Sequence, residues 1–117
     1  MIERFDIHFI HTDHDDNLRK YVTRKIGHLD RYLPRQARAS AHAEVLLKED
    51  GAKDGRCHTC EVTLHLPHEV INIQETSINM YTAVDIVELK LKHQIQKYKD
   101  LHVGNTFRRR LATRLAR

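Results

Sequence analysis

The stretch NMYTAVDIVELKLKHQIQKYKD, residues 79–100, constrains this chain more than any other. Met80, Val84, Val87, Leu91, Ile95 and Tyr98 recur at helical spacing, so they share one side of a helix. Asn79 stands where a helix N-cap is favoured. Ile86 and Leu89 sit off the inner arc, and the pattern leaves open whether they pack or are exposed. A helix with one apolar side needs an apolar surface to lie on, so the rest of the chain must supply one.

A second amphipathic segment is NLRKYVTRKIGHLDRYL, residues 17–33. Leu18, Tyr21, Val22, Ile26, Leu29, Tyr32 and Leu33 fall in one arc, and Pro34 ends the run. Just before it, Asp13 is expected to cap the helix, with Asp15 and Asp16 favourably placed near the helix dipole. Four other segments read as strands. They are ERFDIHFIH (3–11), with Phe5, Ile7 and Phe9 on one face, ARASAHAEVLLKE (37–49), RCHTCEVTLHLP (56–67) and EVINIQET (69–76). DGAKDG (50–55) reads as a turn, and Pro67-His68 as a hairpin joint.

The order is therefore β-α-β-β-β-α. It predicts an α+β fold, a four-stranded, mainly antiparallel sheet with two helices side by side on one face, much as in a double-stranded-RNA-binding domain. The first strand, returning through a helix, runs parallel to its neighbour if the two are adjacent. One domain is expected over residues 1–102. Residues 103–117, which end in FRRRLATRLAR, are expected to be a flexible basic tail.

No apolar run reaches the roughly 20 residues of a membrane helix. MIERFDIHFIH lacks the basic start and long apolar stretch of a signal peptide. A cytoplasmic protein with reduced cysteines is the expectation.

Those cysteines, Cys57 and Cys60, form a Cys-x-x-Cys in a chain with ten histidines. In a strand, residues three apart point to opposite faces, so the two sulfurs diverge. Cys60 then faces the core with Val62, Leu64 and Leu66. A structural zinc site wants four ligands, and a redox Cys-x-x-Cys belongs at a helix start. No metal site, cofactor or small-molecule substrate is expected. The alternative is a strand that begins only at Thr59, leaving Cys57 in the loop, where His8, His11 and His14 would have to converge on it to form a site.

The basic residues are better organised. Residues 17–39 carry seven Lys or Arg against one Asp, and residues 101–117 carry five Arg and no acid. Such clustering points to a polyanionic partner. On the first helix Lys20, Arg24 and Arg31 share a narrow stripe, with His28 at its margin and Arg19 and Lys25 flanking the core from other directions. On the second, Lys90, His93 and Lys97 fall at i, i+3 and i+7. Side by side, the two stripes are expected to merge into one cationic surface suited to phosphates along an RNA. The plain alternative is a pair of ordinary solvated helix faces.

NMYTAVD (79–85), KLKHQIQK (90–97) and LRKYVTRKIGHLDRY (18–32), in this element order, resemble the ribosome hibernation factors. This is the ribosome-associated inhibitor and hibernation-promoting factor family, also called sigma-54 modulation proteins. The similarity spans about residues 3–102. It implies a non-enzymatic protein that binds the small ribosomal subunit and its rRNA in the mRNA and tRNA decoding channel. Such a protein inhibits translation in stationary phase or stress. Arg19, Arg24, Lys90 and Lys97 match basic positions of the family. His93 stands where Arg is usual, Asn79 replaces an Asp, and Lys92 is basic where the family is often acidic or apolar. The likeness is to the short form, which lacks the second, ribosome-pairing domain. Two other readings stand beside this one: a generic double-stranded-RNA-binding module, and a Cys/His metal-binding protein.

Overall fold

The computed structural model describes residues 1–12, 15–49 and 57–101. The elements are β1 (Arg4–Ile10), α1 (Asp16–Ile26), a 3-10 segment (Gly27–Tyr32), α2 (Arg35–Arg38), β2 (His42–Glu49), β3 (His58–Leu66), β4 (Glu69–Ser77) and α3 (Met80–Lys99). The sheet order is β1-β2-β3-β4. β1 pairs parallel with β2, and the other two pairings are antiparallel. The α+β plan expected from the periodicities is present, with a 3-10 segment and the short α2 inserted between α1 and β2.

Register explains why one face of the sheet is apolar. Ile7 lies opposite Val45, Val45 opposite Val62, and Val62 opposite Ile73. One position along, Asp6, Glu44, Thr63 and Asn72 form the corresponding row on the other face. Because side chains alternate, a slip of one residue in any strand would exchange these rows. The helices cover the apolar row, and Val22, Val45, Leu47, Cys60, Val62, Val84, Val87 and Ile95 are fully buried between the layers. Each aliphatic side chain so buried stabilises the fold by about 1.5–3 kcal/mol.

α1 and α3 lie side by side and run parallel. Tyr21 meets Tyr81 with ring centroids 4.9 Å apart. Further along, Lys25 lies 4.0 Å from Glu88, and beyond α1 Lys92 sits 5.6 Å over the Tyr32 ring.

Three details depart from the periodicities. The α1 cap is Asp15, whose side chain accepts from the Asn17 N–H at 2.9 Å. The expected cap, Asp13, lies outside the described residues, as do the 50–55 turn and the 103–117 tail. The first helix also ends as α at Ile26 rather than at Leu33. The Ile2 N–H donates to the Gly27 carbonyl at 2.8 Å, and a Cβ on Gly27 would meet Met1 Cγ at 3.3 Å. The next six residues wind as 3-10, at three residues per turn, which rotates later side chains out of the α pattern. Leu29 and Leu33 stay buried, but Tyr32 is 38% exposed. Finally, Arg35–Arg38 forms one helical turn after Pro34, so β2 starts at His42 instead of residue 37.

The hairpin joint falls where expected. Pro67 holds its own φ negative, and His68 has φ 71°, the sign pattern of a type II turn.

Candidate nucleic-acid interface

The nine basic and histidine positions singled out in the sequence divide into four groups. Lys20, Arg24 and His28 are exposed on the outer side of the first helix and its 3-10 extension. The Arg24 guanidinium lies 5.4 Å from the Tyr21 ring centroid, and Arg31 lies 4.9 Å from that of Tyr32. These contacts hold each cation over an aromatic face, worth about 0.5–1 kcal/mol at exposed sites. Arg19 turns to the other flank of α1, 5.3 Å over Phe9 of β1.

Lys25 behaves differently. Its ammonium lies 3.8 Å from Asp85 and 4.0 Å from Glu88, in the seam between α1 and α3. The same seam holds the hydrogen bond from the Tyr21 hydroxyl to the Asp85 carboxylate. That bond, then burial and the Asp85 charge, push the Tyr21 hydroxyl up to about 12. Lys25 is thus turned toward two carboxylates of its own fold.

Lys90, His93 and Lys97 are exposed on α3. Lys90 pairs with Glu75 of β4, and Lys90 and His93 line a groove with Asn72, Gln74 and Glu75. They therefore face away from α1. The side of α3 that meets α1 carries Tyr81, Asp85, Glu88 and Lys92 instead. Lys90 and Glu88 are two residues apart, about 200° around the helix. The single merged stripe is not formed. Basic residues occupy two flanks of the helix layer, separated by a mixed aromatic and acidic seam.

Lys92 was not among the nine. It joins Glu88 at 3.7 Å and the Tyr32 ring, so it connects α3 to the end of the 3-10 segment. Its i, i+4 spacing from Glu88 was visible in the sequence; its approach to Tyr32 depended on the 3-10 rotation. Ile86 is half-buried, and Leu89 is 60% exposed at the crest of α3.

The cysteines part company as the alternation predicts. Cys60 is buried in the core, where burial, with a smaller contribution from Glu61, pushes its thiol up to about 12. Such a thiol supplies no thiolate for metal or redox chemistry. Cys57 lies one residue ahead of β3. His8 and His11 do not converge with it among the described residues, and His14 lies outside them.

Residues 5–102 match the family described as Sigma 54 modulation protein / S30EA ribosomal protein. The chain is 32% identical over 96 residues to a ribosome hibernation promotion factor of Staphylococcus aureus (strain COL), covering 82% of this chain and 48% of that protein. It is 35% identical over 97 residues to the factor of the same name from Lactococcus lactis subsp. cremoris (strain MG1363), covering 82% and 49%. The chain thus spans about half the length of these relatives. Among solved structures, the Thermus thermophilus Protein Y N-terminal domain superposes with TM-score 0.67 at 25% identity, covering 80% of this chain and 94% of that one. A ribosomal subunit interface protein from Coxiella burnetii gives TM-score 0.66 at 25% identity, covering 82% and 97%. The sheet order, the paired helices and the match over 98 consecutive positions agree: the chain belongs to the Sigma 54 modulation protein / S30EA ribosomal protein family.

Proposed function

We propose that this protein is a non-enzymatic ribosome hibernation factor. It binds rRNA of the small ribosomal subunit in the decoding channel, and it inhibits translation in the cytoplasm during stationary phase or stress by occupying the path of mRNA and tRNA. The observation that carries this reading is family membership, joined to a helix layer whose outer side is studded with exposed cations. Lys20, Arg24, Arg31 and Lys97 are the phosphate contacts in this proposal. Lys90 joins them by exchanging Glu75 for a phosphate. His28, His93 and Arg19 lie at the edges of the surface. Lys25 holds the seam rather than the RNA.

The test is co-sedimentation of the untagged protein with purified small subunits at two salt concentrations. Binding is expected at low salt, weakening steeply as salt rises, because each neutralised phosphate releases counterions. The pair Arg24→Glu with Lys97→Glu is expected to abolish it. Salt-insensitive binding would overturn the phosphate mechanism. Equal competition by naked duplex RNA would replace this reading with that of a generic RNA-binding module.

A further inference from the structure

Two clusters of possible metal ligands stand apart from the proposed RNA surface. On the uncovered face of the sheet, donor atoms of His42, Glu44 and His65 lie within 4.8 Å of one another. That cluster accounts for itself without an ion. The His42 Nε2 lies 3.1 Å from Asp6, Glu44 lies 3.9 Å from His42 and 3.6 Å from His65, and the two rings stack at 5.3 Å.

The second cluster does not account for itself. Donor atoms of Glu49, Cys57 and His58 also lie within 4.8 Å of one another, at the junction of β2 and β3. Glu49 and His58 are register partners directly across the ladder, on the face that the helices cover. Cys57 has left the strand geometry, so its thiol is not forced to the opposite face. His58 Nδ1 is buried and has no hydrogen-bond partner among the described residues. An unpartnered buried nitrogen costs about 1–3 kcal/mol, and a neutral imidazole nitrogen is a common metal ligand. Glu49 and His58 also line a cavity of about 310 Å³ beneath the α1 and α3 N-termini. That volume leaves room for a water or other ligand.

We propose that Glu49, Cys57 and His58 form a divalent metal site, best suited to zinc, with one position left open. Thiolate, imidazole and carboxylate are the three ligand types zinc takes, at bonds of about 2.0–2.3 Å. Donors already within 4.8 Å need only a small closing movement to reach that geometry. The two anionic ligands offset the ion's two positive charges, so the positive ends of the nearby helices do not oppose it. The ion clips the end of β2 to the start of β3.

Cobalt(II), added to the reduced, untagged full-length chain, is the probe. One equivalent per chain is expected, with a thiolate-to-cobalt charge-transfer band that zinc displaces. Cys57→Ser is expected to abolish the band and weaken affinity more than about 100-fold, beyond the roughly 10–100-fold cost of losing an outer-shell partner. His58→Gln and Glu49→Gln should each weaken it at least about tenfold, with circular dichroism unchanged. His42→Gln should leave the titration as it is. In a second measurement, zinc should slow alkylation of Cys57. No charge-transfer band, a band that survives Cys57→Ser, unprotected alkylation, or binding lost in His42→Gln would each overturn the proposal.

Discussion

The Tyr21 hydroxyl donates a hydrogen bond to the Asp85 carboxylate, 64 positions along the chain. Lys25 reaches the same carboxylate at 3.8 Å, so both contacts bridge α1 and α3 in the seam.

Tyr21→Phe keeps the ring packing and removes only the bond. It is expected to cost about 1 kcal/mol near neutral pH. The hydroxyl is pushed from its ordinary 10.0 up to about 12, so the folded state holds this proton more tightly than the unfolded chain. The bond's contribution is therefore complete below pH 10 and is lost as pH rises through about 12. Urea unfolding of both proteins across that range should show the gap between them closing.

Lys25 and Arg24 are neighbours with opposite expectations. Lys25→Met breaks two partly exposed ion pairs, so it should cost no more than about 1 kcal/mol of stability. It should leave the salt dependence of ribosome binding unchanged. Arg24→Ala and Lys97→Ala should barely alter stability. Each should reduce the slope of log affinity against log salt by about 0.7–0.9. Affinities of the three variants at four salt concentrations, beside their denaturation midpoints, separate the two behaviours.

Which cations stay exposed and which face the seam was only half legible in the sequence. Strand alternation placed Ile7 on the inner face of β1 and Val62 on that of β3, because a period of two has only two outcomes. Asn79 was legible because capping is local: its side chain accepts from the Tyr81 N–H at 2.8 Å. Which flank of α3 meets α1 was not. The apolar arc turns Met80, Val84, Val87, Leu91 and Ile95 to the sheet, but a helical wheel does not say whether α1 lies beside Tyr81 and Asp85 or beside Lys90. Tyr32 was misplaced for a related reason: a wheel assumes 100° per residue, and the segment after Gly27 does not wind that way.

The two thiols should differ sharply in reactivity. Cys60 has no exposed surface and Cys57 is half-buried at the strand entrance. In native, metal-free protein, a thiol reagent should modify Cys57 promptly and Cys60 only on the timescale of unfolding. In denaturant both should react alike. Mass spectrometry of the native reaction checks the order. Cys60→Ser should cost about 1–3 kcal/mol, since the new hydroxyl would need a partner in an apolar site.

Leu91 and Leu89 test the orientation of α3 directly. They are two residues apart on one helix, yet Leu91 is 1% exposed and Leu89 is 60% exposed. Leu91→Ala should open a cavity against the sheet and cost about 2–5 kcal/mol. Leu89→Ala should change stability by no more than about 0.5 kcal/mol, because alanine suits a helix and little area is lost. If α3 were rotated so that Lys90 joined the α1 cations, Leu89 would approach the seam and its truncation would be costly. Chemical denaturation of the two variants therefore decides whether the basic residues of α3 form a separate flank. Similar losses in both would restore the single merged stripe.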